Sequence, residues 1–215
     1  MINKEIFLEK DPVLKMIVTE LITQRNCHTV ILYGSRARGD FTSTSDYDVA
    51  GISKNGERQR IARFDKENNV YLDLFVYPES DFLEIEQEHL NMSEGIVLID
   101  SNEFGKKLIT KLMLLVNEPE KIKDDEIQAR KVWYKKMLLR ATNRDLEGKY
   151  RHIWSIFSIL EDYFVFRGLR YQGPKKSFQY LESNDQETLS FFQDALLNTN
   201  DIQSLERLIV KIVGN

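Results

Sequence analysis

The chain has 215 residues, 42% of them hydrophobic and 30% charged, enough apolar material for one large core or two small ones. Its single cysteine, Cys27, excludes an internal disulfide framework, fits a reducing cytoplasm and reads as a small buried hydrophobe. The net charge of −4 argues against broad nucleic-acid binding, yet residues 121–176 hold fourteen Lys or Arg against seven Asp or Glu, leaving about −11 for the rest. An acidic part joined to a basic part fits a cleft for metals and polyphosphate; a basic solvated helix face fits the same charge equally well.

The opening residues, MINKEIFLEK, contain no apolar signal core. Runs such as Leu112 to Val116 are too short to cross a bilayer. The expectation is a cytoplasmic protein with no membrane partner.

Asp11-Pro12 predicts a helix start, a capping carboxylate followed by proline at the first helical position. Leu14, Ile17, Val18, Leu21 and Ile22 continue it at helical spacing to residue 25. His28 to Tyr33 is a β-branched and apolar run closed by glycine, a strand. After a polar, turn-rich stretch from Gly34 to Ser45, Tyr47 to Ile52 and Val70 to Tyr77 are two further strands. The charged segment Ser53 to Asn69 separates them. Ser80 to Leu90 is expected as a helix and Gly95 to Ile99 as a fourth strand. From Glu103 onward apolar residues recur at three and four, as in Ile153, Ile156, Phe157, Leu160 and Phe164. That pattern predicts a helical bundle, with Arg167 to Pro174 as a loop. Tyr163, Phe164 and Phe166 read as core, and His152 as a histidine inside the bundle. Two domains follow, an α/β one over 1–102 and a helical one over 103–215.

The chemistry concentrates in Gly34-Ser35-Arg36-Ala37-Arg38-Gly39 and Ser45-Asp46-Tyr47-Asp48. Glycine directly after a strand lets the backbone turn sharply, freeing amides and the Ser35 hydroxyl for phosphate oxygens. Asp46 and Asp48 stand at i and i+2, on one face of a strand. Two carboxylates so placed repel unless a divalent cation lies between them, and Mg²⁺ favours one or two carboxylates plus substrate phosphates. Asp73 is the lone charge in an apolar strand, an expensive placement unless it is paired or ligates metal. Arg36 and Arg38 can fork onto phosphate oxygens or tether the loop to a neighbour. Lys175 and Lys176 follow Gly173-Pro174 at a helix start, where cations are unfavourable unless an anion sits beside them.

This order of residues, an apolar run ending in Gly34-Ser35, then Asp46-x-Asp48, then Asp73 on a later strand, resembles the DNA polymerase β superfamily of nucleotidyltransferases. GSRARGDFTSTSDYD looks most like its small bacterial members, the minimal and the antibiotic nucleotidyltransferases. The resemblance covers residues 30–77. It implies an α+β fold, a mixed sheet with flanking helices followed by an all-helical bundle. It also implies triphosphate contacts from Gly34 and Ser35, and two Mg²⁺ ions on Asp46, Asp48 and Asp73.

The function so implied is Mg²⁺-dependent transfer of a nucleoside monophosphate from a nucleoside triphosphate to a hydroxyl of a small acceptor. Arg36, Arg38, Lys175 and Lys176 are its further candidate nucleotide contacts. Two alternatives stay open: a nucleotidyltransferase modifying a protein acceptor, as in toxin–antitoxin pairs, and a nucleotide-binding regulatory module without turnover. A nucleic-acid acceptor is disfavoured, since the chain is short, acidic and without a nucleic-acid-binding module.

Overall fold

The computed structural model describes residues 8–119, 122–143 and 145–214; the first seven residues, part of the segment read for a targeting signal, lie outside them. Two compact units divide the chain, 1–117 and 118–215.

In the first unit helix α1, Pro12–Arg25, starts as its sequence predicts, with Leu14 N donating to Asp11 Oδ1 at 2.9 Å. The Tyr47 hydroxyl donates to the same carboxylate at 2.8 and 2.9 Å, so one capping residue also anchors the head of the second strand. Strand β1, Cys27–Tyr33, leads into the short helix α2, Gly34–Arg38. Strands β2, Tyr47–Ser53, β3, Gln59–Asp65, and β4, Val70–Pro78, follow, then two 3₁₀ turns, Glu79–Phe82 and Gln87–Met92. Strand β5, Ile96–Ile99, and helix α3, Phe104–Val116, complete the unit.

The five strands form one mixed sheet in the order β3-β4-β2-β1-β5. β2 and β4 are parallel; the other pairs are antiparallel. Alternation along the strands separates two cores. Val30, Leu32, Val49, Leu72, Leu74 and Val76 pack with Leu14, Ile17 and Leu21 of α1 on one face. Ile31, Ala50, Ile52 and Tyr77 pack under Leu108 and Leu112 of α3 and under Phe82, Leu90 and Met92 on the other. Cys27 is buried, as expected, with its thiol pushed up to about 11 by burial.

Three features depart from the sequence reading. The segment from Ser53 to Asn69 contains a strand, β3. It lies at the sheet edge with only Ile61 packed inward on the first core, so it shows little of the alternation that marks a half-buried strand. Residues 80–90 form 3₁₀ turns, not one helix: His89 Nδ1 accepts from Glu86 N at 3.0 Å, and the apolar anchors Phe82 and Leu90 are eight residues apart with irregular chain between them. Helix α3 packs on the sheet of the first unit through Leu108 and Leu112, so the expected division at 102/103 falls inside that unit.

The second unit is helical: α4, Asp124–Ala141; α5, Leu146–Val165; α6, Pro174–Asn184; α7, Gln186–Leu197; and α8, Ile202–Val213. Its core gathers Tyr134, Ile159, Leu160, Leu181, Phe192, Leu205 and Leu208, all nearly inaccessible. Tyr163 and Phe164 lie in this core and Phe166 packs against it, while His152 is buried. Asp162, a buried carboxylate of α5, accepts from Arg130 Nη1 at 2.7 Å and from the Tyr134 hydroxyl at 2.6 Å. Its charge is thus fully partnered. No described helix is long and apolar enough to cross a membrane.

Candidate active site

Strand register places the acidic residues. In the parallel pair Asp48 lies opposite Asp73, and in the neighbouring antiparallel pair Tyr33 lies opposite Asp48. Across the next ladder Ala62 lies opposite Asp73. Tyr33, Asp48, Asp73 and Ala62 therefore form one row across β1, β2, β4 and β3. The row stands on the face whose other end is covered by α3 and the 3₁₀ turns. Asp46 immediately precedes β2 and is exposed.

Repulsion in this row is visible in Asp48. Its carboxyl is pushed up to about 6, first by burial, then by the charges of Asp46 and Asp73, with Arg38 opposing. Burial, with Asp48 next, also raises the Tyr33 phenol well above its ordinary range. Gly34 turns the chain beside this pair with φ +71°, and a β-carbon there would collide with the Asp48 carboxylate. Only glycine meets both conditions.

The remaining candidates separate into two kinds. Arg36 is a tether: its Nη2 donates to the Ser45 carbonyl at 2.7 Å and its Nε to the Asp46 carbonyl at 2.9 Å. Its guanidinium lies 3.8 Å above the Tyr47 ring. Arg36 therefore holds the loop that presents Asp46. Arg38 faces Asp40 at 3.3 Å and Glu94 at 3.9 Å. The Ser35 carbonyl accepts from Gly39 N and Asp40 N at 2.9 and 3.1 Å, while its hydroxyl makes no hydrogen bond among the described residues. Lys175 and Lys176 stand in the second unit, in the first turn of α6, where Lys176 Nζ donates to Gln172 Oε1 at 2.9 Å.

Sequence reading missed Arg60. This residue of β3 forks onto Asp73, Nε to Oδ1 at 2.9 Å and Nη2 to Oδ2 at 2.8 Å. It was hidden because β3 itself was hidden. Beyond it on the same face the exposed rings of Phe64 and Tyr71 pack at 4.7 Å between centroids. The face shared by Tyr71, Asp73 and Phe75 was legible from alternation in β4; the partners from β3 were not.

A second acidic group must be distinguished from the row. Glu86, Glu88 and His89 are the one group of three such side chains among the described residues whose ligand atoms lie within 4.8 Å of one another. There Arg58 already supplies the cation, donating to Asp81, Glu86 and Glu88 at 2.8 to 2.9 Å. His89 Nδ1 is taken by the backbone N–H of Glu86, while its Nε2 is buried with no hydrogen-bond partner among the described residues. That cluster is a protein-neutralised knot. Asp46, Asp48 and Asp73 suit a divalent cation by their chemistry, though their ligand atoms do not all lie within 4.8 Å of one another: all three offer hard carboxylate oxygens, and Asp48 carries the cost of burial and of the charges of Asp46 and Asp73.

The family model described as a nucleotidyltransferase domain matches residues 6–109. A solved structure of a nucleotidyltransferase-like protein from Exiguobacterium sibiricum 255-15 is similar at 12% identity, over 87% of this chain and 70% of that chain, with a TM-score of 0.40. No match was found among curated proteins. Residues 6–109 thus match a nucleotidyltransferase domain of the polymerase β superfamily, and the match spans the sheet and all three carboxylates.

Proposed function

We propose that this nucleotidyltransferase domain transfers a nucleoside monophosphate from a Mg²⁺-bound nucleoside triphosphate to a hydroxyl of a small acceptor. The observation that carries the proposal is the register of Asp48 against Asp73 beside Gly34, with the Asp48 carboxyl raised by burial and by its acidic neighbours.

Asp46, Asp48 and Asp73 would hold two Mg²⁺ ions. When bound, these metals make the acceptor hydroxyl more acidic and neutralise charge on the departing pyrophosphate. The Ser35 hydroxyl and the turn at Gly34 receive triphosphate oxygens, and Arg36 keeps Asp46 in place through the Ser45 and Asp46 carbonyls. The acceptor hydroxyl gives up its proton to solvent and its oxygen bonds the α-phosphorus, while the bond from the α-phosphorus to the α–β bridging oxygen breaks and pyrophosphate leaves. The strand order supports this reading: Gly34 and Ser35 follow β1, and Asp73 on β4 lies across Asp48 from them.

A small acceptor is supported by the likeness of GSRARGDFTSTSDYD to the antibiotic nucleotidyltransferases. The test is incubation of the full chain with each labelled nucleoside triphosphate, Mg²⁺ and a panel of hydroxyl compounds, read by mass spectrometry. A nucleoside monophosphate adduct on a small compound is expected. An adduct found only on a protein would replace the small acceptor with a protein one. Failure to bind any Mg²⁺–nucleotide would sink the transferase reading.

A further inference from the structure

We propose that Arg60 is a stand-in cation for the metal site: it holds Asp73 while no metal is bound, and must release it for the site to load. The inference rests on the metal-binding role assigned to the carboxylate row above.

In the β3–β4 ladder Arg60 lies opposite Phe75, and Ala62 lies opposite Asp73. Arg60 and Asp73 are therefore diagonal neighbours on one face, a separation that a long side chain spans. The guanidinium takes both carboxylate oxygens at 2.9 and 2.8 Å, the two-pronged geometry of a strong charge-assisted pair. Its carbon also lies 5.1 Å from the centroid of the Phe75 ring, which sets the direction of approach.

The other arginine of this edge strand does a different job. Arg63, on the opposite face, pairs with Glu20 of α1 and so fastens β3 to the helix beneath it. Arg60 makes no such tie to a helix among the described residues. Its partner is the one carboxylate of the row that can be reached from β3, and the pair lies at the exposed end of the sheet face. An exposed ion pair of this kind is weak enough to be exchanged. A divalent cation carries twice the charge of the guanidinium, sheds less of its attraction on a hard oxygen ligand, and is attracted by Asp46 and Asp48 as well. Arg60 thus limits the mutual repulsion of the metal-free row and competes with the metal for Asp73. It is a positioning residue that acts through Asp73.

The test is binding of Mn²⁺ alone to the nucleotide-free full chain, followed by the electron paramagnetic resonance signal of the free ion. Arg60→Gln is expected to bind Mn²⁺ roughly two- to fivefold more tightly than the wild type, the range set by losing one exposed competing pair. Arg60→Lys, which keeps the charge and loses the fork, should fall between the two and gives the readout if the glutamine variant does not fold. Unchanged or weaker Mn²⁺ binding in these variants, with Asp48→Asn still removing it, would overturn the role of Arg60 alone. Mn²⁺ binding that survives Asp48→Asn unaltered would instead overturn the metal site on which the role depends.

Discussion

Two acidic regions of the same unit resolve their charge in opposite ways. Around Arg58, the carboxylates of Asp81, Glu86 and Glu88 converge on one guanidinium, and Glu86 is held well below the ordinary carboxylate range by that hydrogen bond. In the Asp46–Asp48–Asp73 row, Arg60 engages only Asp73, and Asp48 is raised. Carboxylates that the protein neutralises itself need no ligand. A carboxylate left with a cost in the metal-free fold is stabilised when a cation arrives, and the sign of its shift separates such a site from a salt-bridge knot.

The sharpest way to break this contrast is substitution of Asp48. Asp48→Asn should lower nucleotidyl transfer by about 10³-fold or more, since metal ligation supplies several kcal/mol of transition-state stabilisation. The same variant should be more stable than the wild type without metal. The Asp48 carboxyl sits near 6 against an ordinary 3.8, so the cost of its charge is absent below about pH 4, grows through the interval and is complete above about pH 6. Thermal melts at pH 8 should therefore show Asp48→Asn gaining about 1–2 kcal/mol, after allowance for its partial exposure, and the gain should vanish at pH 3.5. A variant less stable than the wild type at pH 8 would remove the basis of the contrast.

Next in size is Ser35→Ala. If the hydroxyl makes one charge-assisted hydrogen bond to triphosphate, nucleotide binding should weaken by about 1–2 kcal/mol, measurable by titration with a non-hydrolysable triphosphate. Arg58→Ala tests the other region: it should cost about 1 kcal/mol of stability in melts at pH 7 while leaving the transfer rate essentially unaltered.

What the sequence disclosed follows the strength of each physical signal. β1, β2 and β4 are buried and β-rich, and their pattern placed Asp48 and Asp73 on inferred strands before any register was known. Asp11 announced α1 through capping chemistry, and Gly34 announced the turn. β3 was invisible because an edge strand carries Arg60, Arg63 and Asp65 where a central strand would carry apolar residues. The loss of β3 concealed Arg60, the residue that qualifies the proposed metal site. Arg36 shows another limit. Its spacing suited either phosphate or a tether, and only the Ser45 and Asp46 carbonyls and the Tyr47 ring reveal the tether. The extent of the first unit was misjudged at α3, whose apolar stripe looks the same in sequence whether it faces a sheet or a bundle.

The most direct measurement is calorimetric titration of the Mg²⁺ complex of a non-hydrolysable nucleoside triphosphate into wild type, Asp48→Asn and Arg58→Ala at pH 8. Wild type and Arg58→Ala should bind alike, and Asp48→Asn should bind at least about tenfold more weakly, a loss of about 1.4 kcal/mol. Equal affinity in wild type and Asp48→Asn, or a loss confined to Arg58→Ala, would contradict the assignment of the carboxylate row as the metal–nucleotide site.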